Sequence, residues 1–192
     1  MTTEVIKNAP LKTHTYFGIG GPAHELIKTD DIRALSELWA ESHAQKVPSF
    51  VFGGGSNLVF ADKGFSGRVF LFTSEKTEWR GNICIVETGK KWQPFMEEIA
   101  SQGFADFEKL SGIPGTVGGA VRGNAGAFGS ETQDALKSVD YIDEYGNLQT
   151  LKKKRVHSNT ENLFSNAIQS GSLCARCLSL KKQRDQKKCG NG

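Results

Sequence analysis

The stretch Val47-Pro48-Ser49-Phe50-Val51-Phe52-Gly53-Gly54-Gly55-Ser56-Asn57-Leu58 runs from a short apolar segment straight into three consecutive glycines. Val47 to Phe52 has the length and composition of a buried strand. Consecutive glycines let successive backbone N–H groups converge without Cβ clashes. Such a nest, with the Ser56 hydroxyl and the Asn57 amide beside it, can cradle a pyrophosphate. Taken alone, the segment also fits an ordinary glycine turn.

A second glycine-rich stretch starts at Leu110-Ser111-Gly112-Ile113-Pro114-Gly115-Thr116-Val117-Gly118-Gly119-Ala120. It continues through Gly123-Asn124-Ala125-Gly126-Ala127-Phe128-Gly129. Glycines at this density, with small residues between them, let backbone approach a flat or extended ligand closely. A loop-rich connection between sheets is the alternative. The usual nucleotide signatures are incomplete. Leu58 stands where G-x-G-x-x-G needs its third glycine, and no G-x-x-x-x-G-K-[ST] occurs.

Around these segments the chain alternates strand and helix patterns. Thr29-Asp30-Asp31 offers an N-cap, and Ile32, Leu35, Leu38 and Trp39 recur at helical spacing to about Ser42. Leu58-Val59-Phe60, Val69-Phe70-Leu71-Phe72 and Ile83-Cys84-Ile85-Val86 are strand candidates. Trp92-Gln93-Pro94 opens a second helix with Phe95, Ile99 and Ala100 on one face and Gly103 as the stop. Val139 to Asp143, a turn at Glu144-Tyr145-Gly146-Asn147, and Leu148 to Leu151 read as a hairpin. The class is mixed α and β.

The 192 residues carry 24 Lys+Arg and 21 Asp+Glu, but unevenly. Residues 1–151 hold 14 basic and 19 acidic side chains; residues 152–192 hold 10 and 2. Seventeen of the 18 aromatics lie in the first part and three of the four cysteines in the second. Beyond Leu151 no period of 2 or 3.6 is sustained, so residues 156–192 are expected to form a basic tail without regular structure. Neither a long apolar run nor a secretory leader is visible, which predicts a cytoplasmic protein away from the membrane.

Thr15-Tyr16-Phe17-Gly18-Ile19-Gly20-Gly21-Pro22-Ala23, then Gly53 to Asn57, then Ser111 to Gly129, are together more specific than any one of them. In order and spacing they resemble the bacterial UDP-N-acetylenolpyruvoylglucosamine reductases, flavoenzymes of peptidoglycan precursor synthesis. The resemblance spans roughly residues 10–151. It implies an α+β FAD-binding fold of the vanillyl-alcohol oxidase type, with subdomains over 1–72 and 73–155 and without a C-terminal substrate-binding domain. Gly53, Gly54, Gly55, Ser56 and Asn57 would then hold the FAD pyrophosphate. Ser111, Gly112, Ile113, Pro114, Gly115, Thr116, Gly118 and Gly119 would line the flavin and ribityl region, with Asn124, Gly126 and Ala127 close by. NADPH would be the hydride donor and a small UDP-sugar the substrate, its enolpyruvyl group reduced to give UDP-N-acetylmuramate. An arginine, a serine and a glutamate would assist the chemistry.

The resemblance breaks after the hairpin. The family places its arginine in a Tyr-Arg-x-Ser-x-Phe-Lys stretch; here Val156-His157-Ser158-Asn159-Thr160-Glu161-Asn162-Leu163-Phe164-Ser165-Asn166 stands instead. Ser158 to Asn166 has a possible coding sequence that, with one T restored before it, reads Phe-Gln-Tyr-Arg-Glu-Ser-Leu-Phe-Lys. A one-base deletion near the codon of His157 is therefore the expectation, with no arginine, serine or glutamate of the catalytic set in place. Such a chain would be an inactive fragment. Two rival readings are another FAD oxidoreductase of the same fold, and a non-enzymatic nucleotide-binding fragment whose basic tail meets nucleic acid. The second is disfavoured because Lys152 to Arg155 and Lys181 to Lys188 lack interleaved aromatics. Cys174-Ala175-Arg176-Cys177, Cys189 and His157 do not make a convincing zinc set, and no metal is expected. Cys84 reads as a buried small hydrophobe. His14, His24 and His43 have no partner pattern. Arg122 faces either a phosphate or solvent.

Overall fold

The computed structural model describes residues 1–81 and 83–152 and the backbone of Leu173–Leu178. Two sheets divide the chain. The first is built from β1 (Thr3–Pro10), β2 (Pro22–Thr29), β3 (Ser49–Phe52) and β4 (Phe65–Phe72), in the order β1-β2-β4-β3. β1 pairs antiparallel with β2, whereas β2, β4 and β3 run parallel. The helix α1 (Ile32–Ala44) supplies the crossover between β2 and β3, as a parallel pair requires. Asp31 caps it, its carboxylate accepting from the Arg33 N–H at 2.9 Å. Leu35 and Trp39 then bury against Ile27, Phe70 and Phe72.

Leu58-Val59-Phe60 is not a strand. The segment crosses the other face of the sheet as an irregular loop, tied by the Gly21 N–H to the Ala61 carbonyl at 3.0 Å. Phe60 stacks edge-on against Phe50 and Phe52, with ring centroids 5.7 and 6.0 Å apart. Its apolar residues are used for covering a sheet, and β-forming composition alone does not separate that use from strand pairing.

The second sheet has the order β10-β9-β11-β6-β5. Its strands are β5 (Thr77–Arg80), β6 (Ile83–Glu87), β9 (Ser138–Ile142), β10 (Leu148–Lys152) and β11 (Leu173–Leu178). The expected hairpin is β9–β10. The Asp143 carboxylate organises its turn by accepting from the Tyr145 and Asn147 N–H groups. Gly146 sits at φ +84°, with Ser36 of α1 so near that a Cβ would lie 2.8 Å from its carbonyl oxygen. Ile142 joins the cluster around Trp39, so this hairpin also fastens the second sheet to the first.

The strand β11 corrects the expectation that nothing beyond Leu151 builds an element. It lies between β9 and β6 and pairs antiparallel with both. Two backbone ladders order such a strand, and they leave no mark on side-chain periodicity. Residues 153–172 and 179–192, including His157, the Val156–Asn166 stretch, most of the basic clusters and Cys189, lie outside the described residues.

Two helices, α2 (Trp92–Ser101) and α3 (Val117–Arg122), cover the second sheet. Trp92, Phe95, Met96 and Ile99 form the buried face of α2; Ala100, expected there, is exposed. Met96 takes that place because positions 92, 95, 96 and 99 follow the helical stripe. Gly103 is the stop, at φ +81°. Cys84 is buried beneath these helices, and burial pushes its thiol up to about 12. No described helix is long and apolar enough to cross a membrane.

Candidate cofactor site

The first and second quoted motifs and the Ser111–Gly119 part of the third meet where the two sheets adjoin. The loop after β3 carries Gly53 to Asn57. The Gly55 carbonyl accepts from the Tyr16 N–H at 3.0 Å, and the Ser56 hydroxyl donates to the Pro114 carbonyl at 3.1 Å. The glycines make this contact possible. A Cβ on Gly53 would lie 2.2 Å from Thr116 Oγ1, one on Gly54 2.8 Å from Gly115 Cα, and one on Gly55 2.4 Å from the His14 carbonyl oxygen. Gly55 also sits at φ +65°. At these glycines the space of the missing side chains is filled by protein. Their first task is to press three loops together.

The assembled loop leaves donors free. Among the described residues, the N–H groups of Gly54, Gly55, Ser56 and Asn57 make no hydrogen bond, nor does the Asn57 side chain. Four successive free N–H groups in a tight glycine turn form an anion-receiving concavity.

The second segment is anchored from α2 and β6. Gln93 Oε1 accepts from the Ser111 hydroxyl at 3.0 Å and from the Gly112 N–H at 2.8 Å. The Trp92 N–H donates to the Gly115 carbonyl at 3.0 Å, and the Gly118 N–H to the Thr88 carbonyl at 2.9 Å. Thr116 caps α3, its hydroxyl accepting from the Gly119 N–H. Around Gly112, at φ +83°, a Cβ would meet nothing, so here the backbone is open. Gly119 is nearly as open, with only Thr116 Oγ1 at 3.6 Å.

Between the sheets lies a cavity of about 50 Å³. Val51, Phe52 and Gly53 at the end of β3 and Phe72 at the end of β4 form one wall; Thr88, Thr116, Gly118, Gly119 and Arg122 form the other. Phe52 and Phe72 end parallel strands, so the cavity opens at carboxyl ends, the usual ligand side of parallel sheets. Sequence reasoning did not single out Phe72, Thr88 or Gln93. The parallel pairing that brings Phe72 beside Phe52 is non-local and has no sequence mark.

Asn124, Gly126 and Ala127 lie apart from this cavity, in a small hairpin of β7 (Gly126–Ala127) and β8 (Ser130–Glu131), followed by α4 (Thr132–Ala135). The Asn124 amide donates to Glu131 at 2.8 Å, and its oxygen accepts from the Gln133 N–H at 3.0 Å. These three residues line an open concavity with Phe128, Glu131 and Asp134. Phe128 stands exposed at the hairpin tip with φ +51°. His14 is held below the ordinary imidazole range, by burial first and by nearby Lys28 second. No group of side chains suited to a metal occurs among the described residues.

A family described as FAD binding domain matches residues 24–152. The UDP-N-acetylenolpyruvoylglucosamine reductase of Alkaliphilus oremlandii is 35% identical over 147 residues, which are 76% of this chain and 48% of that protein. The enzyme of the same name from Protochlamydia amoebophila is 38% identical over 78% of this chain and 50% of its own length. This chain therefore spans about half the length of these relatives. The crystal structure of the reductase from Thermus caldophilus superposes with a TM-score of 0.74 at 29% identity, covering 96% of this chain and 64% of that one. An alkyldihydroxyacetonephosphate synthase shares the fold at 16% identity and a TM-score of 0.62. The relationship expected from the three motifs, and the α+β fold it implies, are borne out.

Proposed function

Because this chain belongs to the FAD binding domain family, alongside the UDP-N-acetylenolpyruvoylglucosamine reductases, we propose that it binds FAD across its two sheets. The observation that carries this reading is the glycine loop after β3, with four successive free N–H groups. Gly54 to Asn57 would receive the pyrophosphate through these backbone donors, which suit an anion without supplying a titrating group. The open backbone at Gly112 would let the ring system lie against Ser111 to Pro114. Gln93 holds that segment from the side and fixes the Gly112 amide in place.

The flavin, when bound, supplies hydride transfer. The whole reductase would take hydride from NADPH and reduce the enolpyruvyl group of UDP-N-acetylglucosamine enolpyruvate. This chain's own residues bind and orient. The stretch Val156–Asn166 does not carry the Tyr-Arg motif of the family, so the groups that would stabilise the enolate-like intermediate are not supplied by it. The chain is thus read as a cofactor-binding portion without turnover of its own. The rival, another FAD oxidoreductase of this fold, rests on fold likeness alone.

The test is spectroscopic. The purified 192-residue chain, reconstituted with FAD, is expected to keep visible flavin bands through gel filtration, and its NADPH oxidation with the enolpyruvyl substrate is expected to stay at background. A folded, colourless chain that leaves added FAD free would overturn the cofactor reading. Measurable turnover would overturn the inactive-fragment reading. Reading the gene's DNA decides the frame: a single-base change near the codon of His157 must restore Tyr-Arg.

A further inference from the structure

Among the described residues, Arg122 is the only ionisable one lining the cavity between the sheets. It makes no hydrogen bond or ion pair among the described residues, and its side chain is exposed at the end of α3. Lys90 is bound by Glu98 and Thr77, and the hairpin concavity beyond α3 carries Glu131 and Asp134 instead of a cation. Among the described residues, a free guanidinium therefore stands on one side of the cavity whose other wall is Val51, Phe52 and Phe72.

That wall and that charge ask for different properties in one ligand. The apolar side chains and the bare backbone of Gly119 suit a flat face. The guanidinium suits a π-surface, on which it stacks, next to negative charge. At about 50 Å³ the cavity is a few water-sized spheres across, room for the edge of a flat heterocycle. In the FAD reading the open backbone at Gly112 already receives the redox ring, so the reacting end of the dinucleotide belongs there. The non-reacting end belongs here, with its phosphates turned toward the free N–H groups of Gly54 to Asn57.

Resting on the FAD reading above, we propose that Arg122 is the residue that recognises the adenosine half of the cofactor, stacking its guanidinium on the purine at the mouth of this cavity. The planar group, not the charge alone, carries the contact. Arg122 binds and positions; it takes no part in the chemistry.

The experiment titrates the full chain with FAD and, separately, with ADP, using wild type, Arg122→Ala and Arg122→Lys. Melting temperature serves as the control for folding, and it is expected to stay unchanged because the side chain is exposed and unpaired. Both variants are expected to weaken FAD and ADP by the same factor, roughly tenfold. Wild-type affinity in Arg122→Lys would overturn the proposal, since charge alone would then suffice. FAD weakened with ADP unchanged would overturn it too, placing Arg122 at the flavin end. So would a wild type that binds FAD but not ADP, or variants that bind FAD as well as wild type. A wild type that binds neither ligand removes the FAD reading itself, and this inference with it.

Discussion

At the residue scale the two glycine segments are the most legible feature of the sequence, but their physical role is not legible. Density of glycine announces close approach; it does not say what approaches. In the structure the neighbours of Gly53, Gly54 and Gly55 are Thr116, Gly115 and His14. In the proposed FAD reading the ligand surface would be secondary, made of the N–H groups that this packing leaves over. A double-mutant cycle checks the arrangement. Gly53→Ala drives a methyl toward Thr116 Oγ1 and is expected to cost about 2 kcal/mol by overpacking. Thr116→Ala loses the cap of α3 and is expected to cost about 1 kcal/mol. In the double variant the nearest Thr116 atom to the new methyl becomes Cβ at 3.4 Å, so the clash largely goes. Urea denaturation should therefore show the pair costing about 1 kcal/mol less than the two separately. Strict additivity would mean that the two loops do not touch.

At the element scale, elements with local signals were readable and those fixed by distant partners were not. The helix α1 had its Asp31 cap and its Leu35–Trp39 stripe, and α2 its Pro94 start and Gly103 stop. By contrast β1 exposes most of its side chains, so no alternation betrays it; its register with β2 alone defines it. The helix α3 carries two glycines, poor helix formers, and stands because Thr116 caps it and Thr88 and Lys90 accept its first N–H groups. The join between β5, β6 and α2 is likewise non-local. Glu98 of α2 accepts from Lys90, from the Trp79 indole at 3.0 Å and from Thr77. Burial pushes its carboxyl up, but these donors outweigh that and hold it below its ordinary value of 4.5. Because the folded state binds the proton less readily than the unfolded chain, this stabilisation is complete above about pH 4.5 and is lost as the pH falls through the lower folded value. Glu98→Gln should lower stability at pH 7 by about 1–2 kcal/mol and flatten its decline between pH 5 and pH 3. Thermal melts across that range check both. An unchanged acid limb would show that other carboxylates set it.

At the scale of the whole molecule, the mixed α and β class followed from interleaved local patterns, whereas the sheet orders did not. Both sheets place late strands inside early ones: β4 lies between β2 and β3, and β11 between β9 and β6. Each insertion depends on contacts across long stretches of chain, where side-chain periodicity carries no information. The consequence for β11 is mechanical. Without it, β6 and β9 would face each other across an empty position, each with a row of unpaired backbone groups, and unpaired strand edges invite association. β6 also leads into Thr88, a wall of the cavity, so its order bears on the candidate cofactor site. A chain ending at Lys152 should melt at least several degrees below the full chain and aggregate on heating. Cys177→Pro is the sharper probe. Cys177 is in register with both Val86 and Val139, and proline there removes the backbone donor from a strand paired on two sides. It should lower the melting temperature nearly as far as the deletion does. If Cys177→Pro and the chain ending at Lys152 both melt like wild type, β11 does not hold the second sheet together, and β6 must be secured by α2 and α3 alone.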